Sequence, residues 1–425
     1  MHRYNTHTLN NGLRVIAHNM PNMKSVALGI WIATGGRHED IEKRGISHFI
    51  EHLLFKGTST RSAAKIKNSI EGIGGSLNAF TSEELTCYLV KVPAKYQNLG
   101  VEILSDMVLN ARFDSRDIFK ERMVILEEIK MYKDQPDQYV QDLLAELLWP
   151  DHTLGIPLIG TYEIINALSR SDLLNYKDKE YVPSNITVVA CGDIDWRLLI
   201  SSCSKLFSKR RVGKSCPYEA IKITQDAPKS KIFTKDTEQT HVALGFHGIS
   251  RRNPSRYAMD ILNVILGANM SSRLFHELRE KRGLAYAISS HASYFNDGGY
   301  MVIDAGVDNG KIVDFISLAL KELVKIKKKV VAKNEFERAK EYYRGHLSFI
   351  LEDTLSHMLW LGRKVVTDDE PLDIAKILEK IDRVSQDDLS ELSKKVFKSD
   401  NLNIGIVGPI DEAKKEKIEE SIRNL

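Results

Sequence analysis

Apolar residues along the chain recur in two patterns, one typical of strands and one typical of helices. Short β-branched runs such as SVALGIWI and THVALGFHG predict strands, and a helical period follows each of them in GISHFIEHLLF and YAMDILNVIL. Glycine-containing turns then lead to further strand-like runs. A long amphipathic helix is predicted next in each half, at FKERMVILEEIKMYKDQ and at EFERAKEYYRGHLSFILEDTLSHMLWL, before a last apolar strand. Because strands and helices are mixed without strict alternation, the pattern predicts an α+β fold with helices packed on a sheet.

This order of elements occurs twice along the chain. Val26 begins the stretch VALG, and Val242 begins the same stretch 216 residues later. At the same offset, NITVVACGDID, which begins at Asn185, matches NLNIGIVGPID, which begins at Asn401. Two matches at one offset predict two homologous halves, each a mainly antiparallel sheet packed with helices.

A polar stretch with two prolines and no long apolar period separates the two halves, which is typical of a linker. We therefore predict a first half at 1–210, a linker at 211–230 and a second half at 231–425.

Composition restricts the classes of partner. The chain has 425 residues, 43% of them hydrophobic and 28% charged, which is enough to bury more than one core. A net charge of +3 is small for this length, so we expect no nucleic-acid partner. The sequence has no apolar run of about 18 residues, so we also expect no insertion into a membrane. With no secretory signal, we expect a bacterial cytoplasmic protein, or one of the mitochondrial matrix if the source is eukaryotic.

The cysteines show no paired spacing, so we expect reduced thiols at Cys87, Cys191, Cys203 and Cys216. Cys87 and Cys191 lie in strand-like apolar runs, where filling the core is the expected role.

The stretch HFIEH places two histidines four residues apart, with a glutamate directly before the second. On a helix that begins near Gly45 or Ser47, His48 and His52 share one face and Glu51 lies beside it. Two imidazoles at this spacing can bind one metal ion, and the carboxylate can take a proton from water, as in the inverted HxxEH motif.

An ordinary amphipathic helix is the alternative interpretation of this stretch, since 13 histidines give the motif some chance of arising by accident. Phe49, Ile50, Leu53 and Leu54 already supply its apolar surface, however, and two histidines on the remaining stripe need partners or solvent. We therefore favour the metal-binding interpretation.

A catalytic zinc site has three protein ligands and one open position. The helical stretch at 117–133 offers Glu121, Glu127 and Glu128 for the third ligand. Glu121 and Glu128 are two turns apart and share a face, whereas Glu127 points about 100° away. Spacing alone does not choose among them.

Four motifs, in the same order, resemble the pitrilysin–insulinase family of zinc peptidases, and the likeness covers nearly the whole chain. They are HFIEHLLFKGT, GGSLNAFTSEELTCY, ERMVILEEI and SSRLFHELREKRGLAYAI. The chain is most similar to the branch that contains the β subunit of the mitochondrial processing peptidase and its bacterial relatives. The resemblance implies a clamshell of the metalloenzyme LuxS and processing-peptidase type.

The resemblance also implies roles for individual residues. His48 and His52 would be zinc ligands, Glu128 the third ligand and Glu51 the general base. Glu121 matches a supporting acid that would hydrogen-bond His52 or steady the water.

The second half serves as an internal control for the metal site. At the offset of the repeat, Val264, Gly267 and Ala268 stand where the first half has its two histidines and glutamate. None of them binds metal, so we expect one Zn²⁺ per chain, in the first half.

In the family, an arginine and a tyrosine of the second half reach the substrate near the zinc, and here they are Arg279 and Tyr286. Either side chain can donate a hydrogen bond to an oxyanion formed when water attacks an amide. Arg282 competes for the same role.

Residues 76–80 read as a strand that we expect at a sheet edge beside the metal. An extended peptide can pair with such an edge through main-chain hydrogen bonds. The resemblance implies Asn78 and Ala79 as substrate contacts, and Phe80 beside them completes the predicted substrate strand. The alternative is a strand that is covered within the sheet.

Together these features predict a zinc-dependent metalloendopeptidase that cleaves peptides or unfolded, presequence-like segments in a closed chamber. A homodimer is expected, because the family chamber needs four such domains and this chain carries both the zinc motif and the Arg/Tyr pair. The alternatives are a non-catalytic scaffold and a half-site subunit that requires a different chain. The ligand set also accepts cobalt or manganese, and the pattern names neither the substrate nor the cleavage rule.

Overall fold

The computed structural model describes residues 4–208, 210, 213, 217–368 and 373–423. Cys216 and part of the predicted linker lie outside these residues. The described residues form two compact units, and the predicted α+β class is confirmed. The first unit comprises Met1–Ile129, Ile156–Glu219 and Leu347–Ala375, and the second comprises Lys130–Gly155, Ala220–His346 and Lys376–Leu425.

A six-stranded sheet forms the centre of the first unit. Its strands are β1 (Asn5–Thr8), β2 (Arg14–Asn19), β3 (Ser25–Ile32), β4 (Ser76–Thr81), β5 (Thr86–Pro93) and β6 (Ile186–Gly192). They lie in the order β1-β2-β6-β3-β5-β4, so β4 is an edge strand. In this sheet, as far as the structure describes it, β2 and β6 pair in parallel and the other pairs are antiparallel.

A five-stranded sheet of the same design forms the centre of the second unit. Its strands are β7 (Lys229–Thr234), β8 (Gln239–His247), β9 (Ala285–Tyr294), β10 (Gly299–Asp308) and β11 (Leu402–Gly408). The order β7-β11-β8-β10-β9 repeats the order of the first sheet without β1, and β7 and β11 form the parallel pair. The internal repeat of the sequence is therefore a repeat of sheet topology.

Helices follow the strands in corresponding positions of the two units. Those that precede β7 are α1 (Ile46–Leu54), α2 (Ala63–Glu71), α3 (Gln97–Asn110), α4 (Ser115–Asp134), α5 (Pro136–Leu148), α6 (Tyr162–Ala167), α7 (Arg170–Glu180) and α8 (Trp196–Phe207). Those that follow it are α9 (Arg256–Leu266), α10 (Ile312–Lys328), α11 (Lys333–Glu352), α12 (Thr354–Asp368), α13 (Ile374–Arg383), α14 (Gln386–Val396) and α15 (Glu412–Arg423).

Two helices pack on the sheet that is distant from them along the chain. Helix α5 packs on β8 and β11 of the second unit, and α12 packs on β3 and β6 of the first. A side chain at Gly362 of α12 would collide with Trp31, because a Cβ there would lie 2.1 Å from the indole. Each compact unit therefore combines separate stretches of chain. The predicted boundaries at 210 and 231 divide the two sequence repeats, and as domain boundaries they stay a prediction.

The last long helical stretch of the sequence is two helices rather than one. The break falls at Asp353, whose side chain accepts hydrogen bonds from the backbone N–H of Ser356 and from Lys91 Nζ, each at 2.8 Å. Aspartate caps helix starts well, since its carboxylate satisfies a free N–H group of the first turn. Asp353 thus ends α11 and begins α12, which returns to the first sheet.

The three described cysteines lie in the interior, as predicted for Cys87 and Cys191. Cys87, Cys191 and Cys203 are free and buried. Among the described residues, no helix is long and apolar enough to cross a membrane.

Candidate metal centre

Helix α1 presents the two histidines, and its start is held firmly. Gly45 caps it with a φ of 96°, a left-handed conformation that favours glycine. The buried carboxylate of Glu39 accepts hydrogen bonds from the N–H groups of Gly45 and Ser47, at 2.8 and 2.7 Å. A carboxylate is favourable there because the first N–H groups of a helix are otherwise unpaired. These contacts fix the position from which His48 and His52 project.

Helix α4 supplies the acidic residues from a second direction. Ile118, Ile125 and Ile129 bury one face of the helix, and Glu121 lies within that face while Glu127 is exposed. Glu128 stands at the border and reaches the histidines. The choice that spacing left open is thus made by the packing of α4.

His48, His52 and Glu128 come together as one group. Glu128 Oε2 lies 4.0 Å from His48 Nε2 and 3.7 Å from His52 Nε2, and one ligand atom from each residue lies within 4.8 Å of the others. Within the described residues, it is the one group of three or more His, Cys, Asp or Glu side chains placed this closely.

The chemistry of this group fits a divalent cation. Burial, reinforced by His52, lowers the pKa of His48 to about 3, so its imidazole is neutral at pH 7. Glu128 Oε2 is buried without a hydrogen-bond partner, and burial raises the pKa of Glu128. Donor atoms about 2 Å from one zinc ion lie about 3–4 Å apart, close to the spacing observed. A cation there would compensate the buried Oε2 atom of Glu128, which has no hydrogen-bond partner.

Glu51 lies on the same helix, between the two histidines in sequence. Thr81 Oγ1, at the end of β4, donates a hydrogen bond of 2.5 Å to Glu51 Oε2. Burial raises the pKa of Glu51, and the Thr81 hydrogen bond opposes that shift. The other oxygen, Oε1, accepts no hydrogen bond from the described residues and is available for a proton.

Glu121 supports the centre through His52. Its Oε2 atom lies 3.2 Å from His52 Nδ1, and its Oε1 atom lies 2.6 Å from Lys56 Nζ. With Nδ1 directed at a carboxylate, His52 turns Nε2 toward Glu128, the orientation that a metal ligand needs.

The predicted substrate strand is β4, and it lies at a sheet edge as expected. Asn78 is exposed, and its Oδ1 accepts a hydrogen bond from the N–H of Ala79 at 2.8 Å. The ring of Phe80 packs edge-on against Trp31, with the centroids 5.7 Å apart. Phe80 therefore offers a ligand mainly its backbone, whereas Thr81 joins this edge to Glu51.

Arg279 and Tyr286 belong to the second unit, where they are neighbours. Arg279 lies in a π-helical turn at Phe275–Glu280, and its guanidinium carbon is 5.8 Å from the centre of the Tyr286 ring. Tyr286 is 74% exposed at the start of edge strand β9. Arg282 is paired with Glu277 at 2.7 Å, so it is less available than Arg279 for another role.

The second unit carries no corresponding metal group among its described residues. Helix α9 ends at Leu266, so Gly267 and Ala268, which the offset of 216 selects, lie beyond it. The offset holds for β6 and β11 but not for this helix, because the connecting segments differ in length.

Sequence reasoning missed two residues that contact the centre, Thr81 and Lys56. Both lie in motif stretches noted above, GGSLNAFTSEELTCY and HFIEHLLFKGT. No periodicity distinguishes a threonine at a strand end or a lysine after a helix, because their partners come from distant segments.

Two α+β units of matching strand order, one with an HxxEH helix and a glutamate from a second helix, are the features expected of inverted-motif zinc peptidases. Residues 14–162 match the family described as Insulinase (Peptidase family M16), and residues 167–343 match the Peptidase M16 inactive domain. The chain belongs to peptidase family M16.

Named relatives agree with this assignment. The chain is 36% identical to the uncharacterized zinc protease YmxG of Bacillus subtilis, over 93% of this chain and 96% of that one. It is 33% identical to the uncharacterized zinc protease SCO5738 of Streptomyces coelicolor, over 98% and 92% of the two chains.

Solved structures share the fold at lower identity. A protease from Helicobacter pylori superposes with a TM-score of 0.92 at 22% identity, covering 96% of this chain and all of that one. A chain of Complex III2 from Candida albicans superposes with a TM-score of 0.82 at 18% identity, covering 98% and 99%. One architecture thus occurs both in a protease and in a chain of Complex III2, so function has to be argued from the site.

Proposed function

We propose that this chain is a zinc-dependent metalloendopeptidase with one Zn²⁺ held by His48, His52 and Glu128. The observation that carries the proposal is the convergence of these three donors beside Glu51, with Glu128 Oε2 buried and without a hydrogen-bond partner. A zinc ion at this position would supply Lewis-acid chemistry, acidifying water and polarising a scissile carbonyl.

Glu51 is the proton carrier in this mechanism. Thr81 holds Oε2, so Oε1 is the atom that takes a proton from water and later passes it to the leaving amine. Burial, which raises the pKa of Glu51, makes the carboxylate a stronger base than an exposed one.

The substrate is an extended peptide in this proposal. It would pair with the exposed edge of β4 near Asn78 and Ala79 through main-chain hydrogen bonds, which tolerate varied side chains. Arg279 and Tyr286 would donate hydrogen bonds to the developing oxyanion. Unfolded or presequence-like segments suit this mode, because a folded domain cannot supply an extended strand.

Digestion of an unbiased peptide library by wild type and by Glu51→Gln tests the proposal. The variant should keep its zinc and lose cleavage, because the amide cannot accept the proton. Glu42→Gln is a matched control, since Glu42 is an exposed glutamate in a short helical turn before α1. Equal cleavage by wild type and Glu51→Gln would remove Glu51 from the mechanism.

The assembly is a homodimer in this proposal, and the same preparation tests it. Size-exclusion chromatography with activity measured across the peak should show a zinc-loaded, active dimer. A zinc-loaded chain that stays inert until another chain is added would indicate a half-site subunit. A folded chain without stoichiometric zinc would indicate a scaffold.

A further inference from the structure

A lysine directly after helix α1 completes a chain of contacts that ends at the metal centre. Lys56 Nζ lies 2.6 Å from Glu121 Oε1, and Glu121 Oε2 lies 3.2 Å from His52 Nδ1. Each oxygen of Glu121 therefore has one partner, a cation on one side and an imidazole on the other.

Glu121 is buried, and its charge therefore needs the positive charge of Lys56. The side chain of Glu121 is 7% exposed, and Glu51 and Glu128 place two more carboxylates around the same histidines. A buried carboxylate is costly without a compensating charge, and His52 is neutral when it binds a metal. Lys56 supplies a full positive charge at hydrogen-bonding distance.

We propose that Lys56 is a positioning residue of the metal centre, which holds Glu121 so that His52 keeps its Nε2 atom directed at the zinc ion. This inference rests on the zinc site of the proposed function, and it concerns metal affinity rather than cleavage. In the proposed role, Lys56 touches neither the donor atoms of His48, His52 and Glu128 nor the substrate. It acts through Glu121, whose orientation fixes the imidazole.

An ordinary surface ion pair in the same unit offers a matched comparison. Lys43 Nζ lies 2.8 Å from Asp172 Oδ1, and these side chains are 43% and 27% exposed. The lysine of each pair is similarly accessible, but Asp172 is far more exposed than Glu121 and has no contact with a histidine of the centre. Loss of Lys43 should therefore remove a surface charge alone.

The test measures zinc affinity of the full chain by competition with a chelator, without substrate. Lys56→Met should weaken zinc binding by about tenfold, the lower end of what supporting residues contribute. Lys56→Arg, which keeps the charge, should restore most of that loss, and Lys43→Met should bind zinc as wild type does. The thermal midpoint of metal-free Lys56→Met is measured in parallel and should fall, because the buried Glu121 carboxylate loses its compensating charge, but the protein should stay folded at the temperature of the zinc measurement.

A double variant shows whether Lys56 acts through Glu121. In the Glu121→Gln background, Lys56→Met should change zinc affinity by less than about twofold, since the contact through which it acts is already altered. Wild-type affinity in Lys56→Met, or an equal tenfold loss in both backgrounds, would overturn the inference. A wild type that binds zinc but cleaves no peptide would overturn the proposed function alone.

Discussion

The two units build the same framework and place different chemistry in it. In the first, α1 follows the central strand β3, β4 forms the sheet edge and α4 follows later; in the second, α9, β9 and α11 take these places. Where the first unit gathers two histidines and a glutamate, the second gathers an aspartate and two tyrosines.

The aspartate of the second unit has its partners within the protein. Asp260 of α9 accepts a hydrogen bond from Tyr294 of β9 at 2.6 Å and one from Tyr343 of α11 at 3.1 Å. Burial, followed by the charge of Asp260, raises the pKa of both tyrosines well above 10. The cluster joins α9, β9 and α11, the elements of the second unit that correspond to α1, β4 and α4 around the metal centre.

The difference between the regions lies in which polar atoms are left without partners. Both carboxylate oxygens of Asp260 accept hydrogen bonds, whereas Glu128 Oε2 and His48 Nδ1 are buried with none. A buried polar atom without a partner costs free energy, so its retention is typical of a functional site. The framework positions three elements, and the side chains on them decide between a metal centre and a structural cluster.

The largest expected effect is on zinc affinity, and it tests whether Glu128 is a metal ligand. Glu128→Gln should weaken zinc binding by more than about 100-fold, the upper limit for residues that only support a ligand. Glu127→Gln, one residue away on the exposed face of α4, is the control and should bind zinc normally. Chelator competition measures both, and normal affinity in Glu128→Gln would exclude Glu128 as a ligand.

A second prediction concerns the stability of the other cluster. Asp260→Ala should lower the free energy of unfolding by roughly 2–3 kcal/mol, because two partly buried hydroxyl groups lose their charged acceptor. Zinc affinity should not change, and denaturant titration together with chelator competition measures the two effects. A variant with reduced zinc affinity and normal stability would reverse the roles assigned to the two regions.

A third prediction tests Thr81 as the residue that positions Glu51. Thr81→Val should lower kcat by about tenfold or more with zinc content unchanged, because a hydrogen bond to a charged group contributes roughly 1.5–3 kcal/mol and tenfold in rate corresponds to about 1.4 kcal/mol. Thr81→Ser should recover most of the activity. Thr34→Val removes the similar hydrogen bond of 2.8 Å to Glu180 and serves as the control. Full activity in Thr81→Val would show that Glu51 needs no such support.

The smallest expected effect is a pH dependence of the tyrosine cluster. Tyr294 and Tyr343 have pKa values raised above 10 in the folded chain, so above pH 10 the unfolded chain releases protons that the folded chain keeps. Their contribution to stability is complete below pH 10 and falls as pH rises further. When the pH is raised from 10 to 11, the free energy of unfolding should fall by about 1 kcal/mol less in Tyr294→Phe than in wild type. Equal slopes would show that Tyr294 ionises normally.

Local patterns predicted much of the fold. The apolar runs predicted β3 and β8, and the repeat predicted β6 and β11, because burial on a sheet imposes a short-range pattern. The exchange of α5 and α12 between sheets was not predicted, since an amphipathic helix shows that one face is buried but not against which sheet. The break at Asp353 was missed because the helical period continues through it.

The candidate site divides in the same way. By itself, the sequence determined that His48 and His52 share a helix face with Glu51 beside it, because four residues make about one helical turn. Only the tertiary structure decided that Glu128 rather than Glu127 reaches them, and that Thr81 and Lys56 hold the neighbouring carboxylates. The physical reason is that spacing along one helix is set by backbone geometry, whereas contacts between segments depend on how the whole core packs.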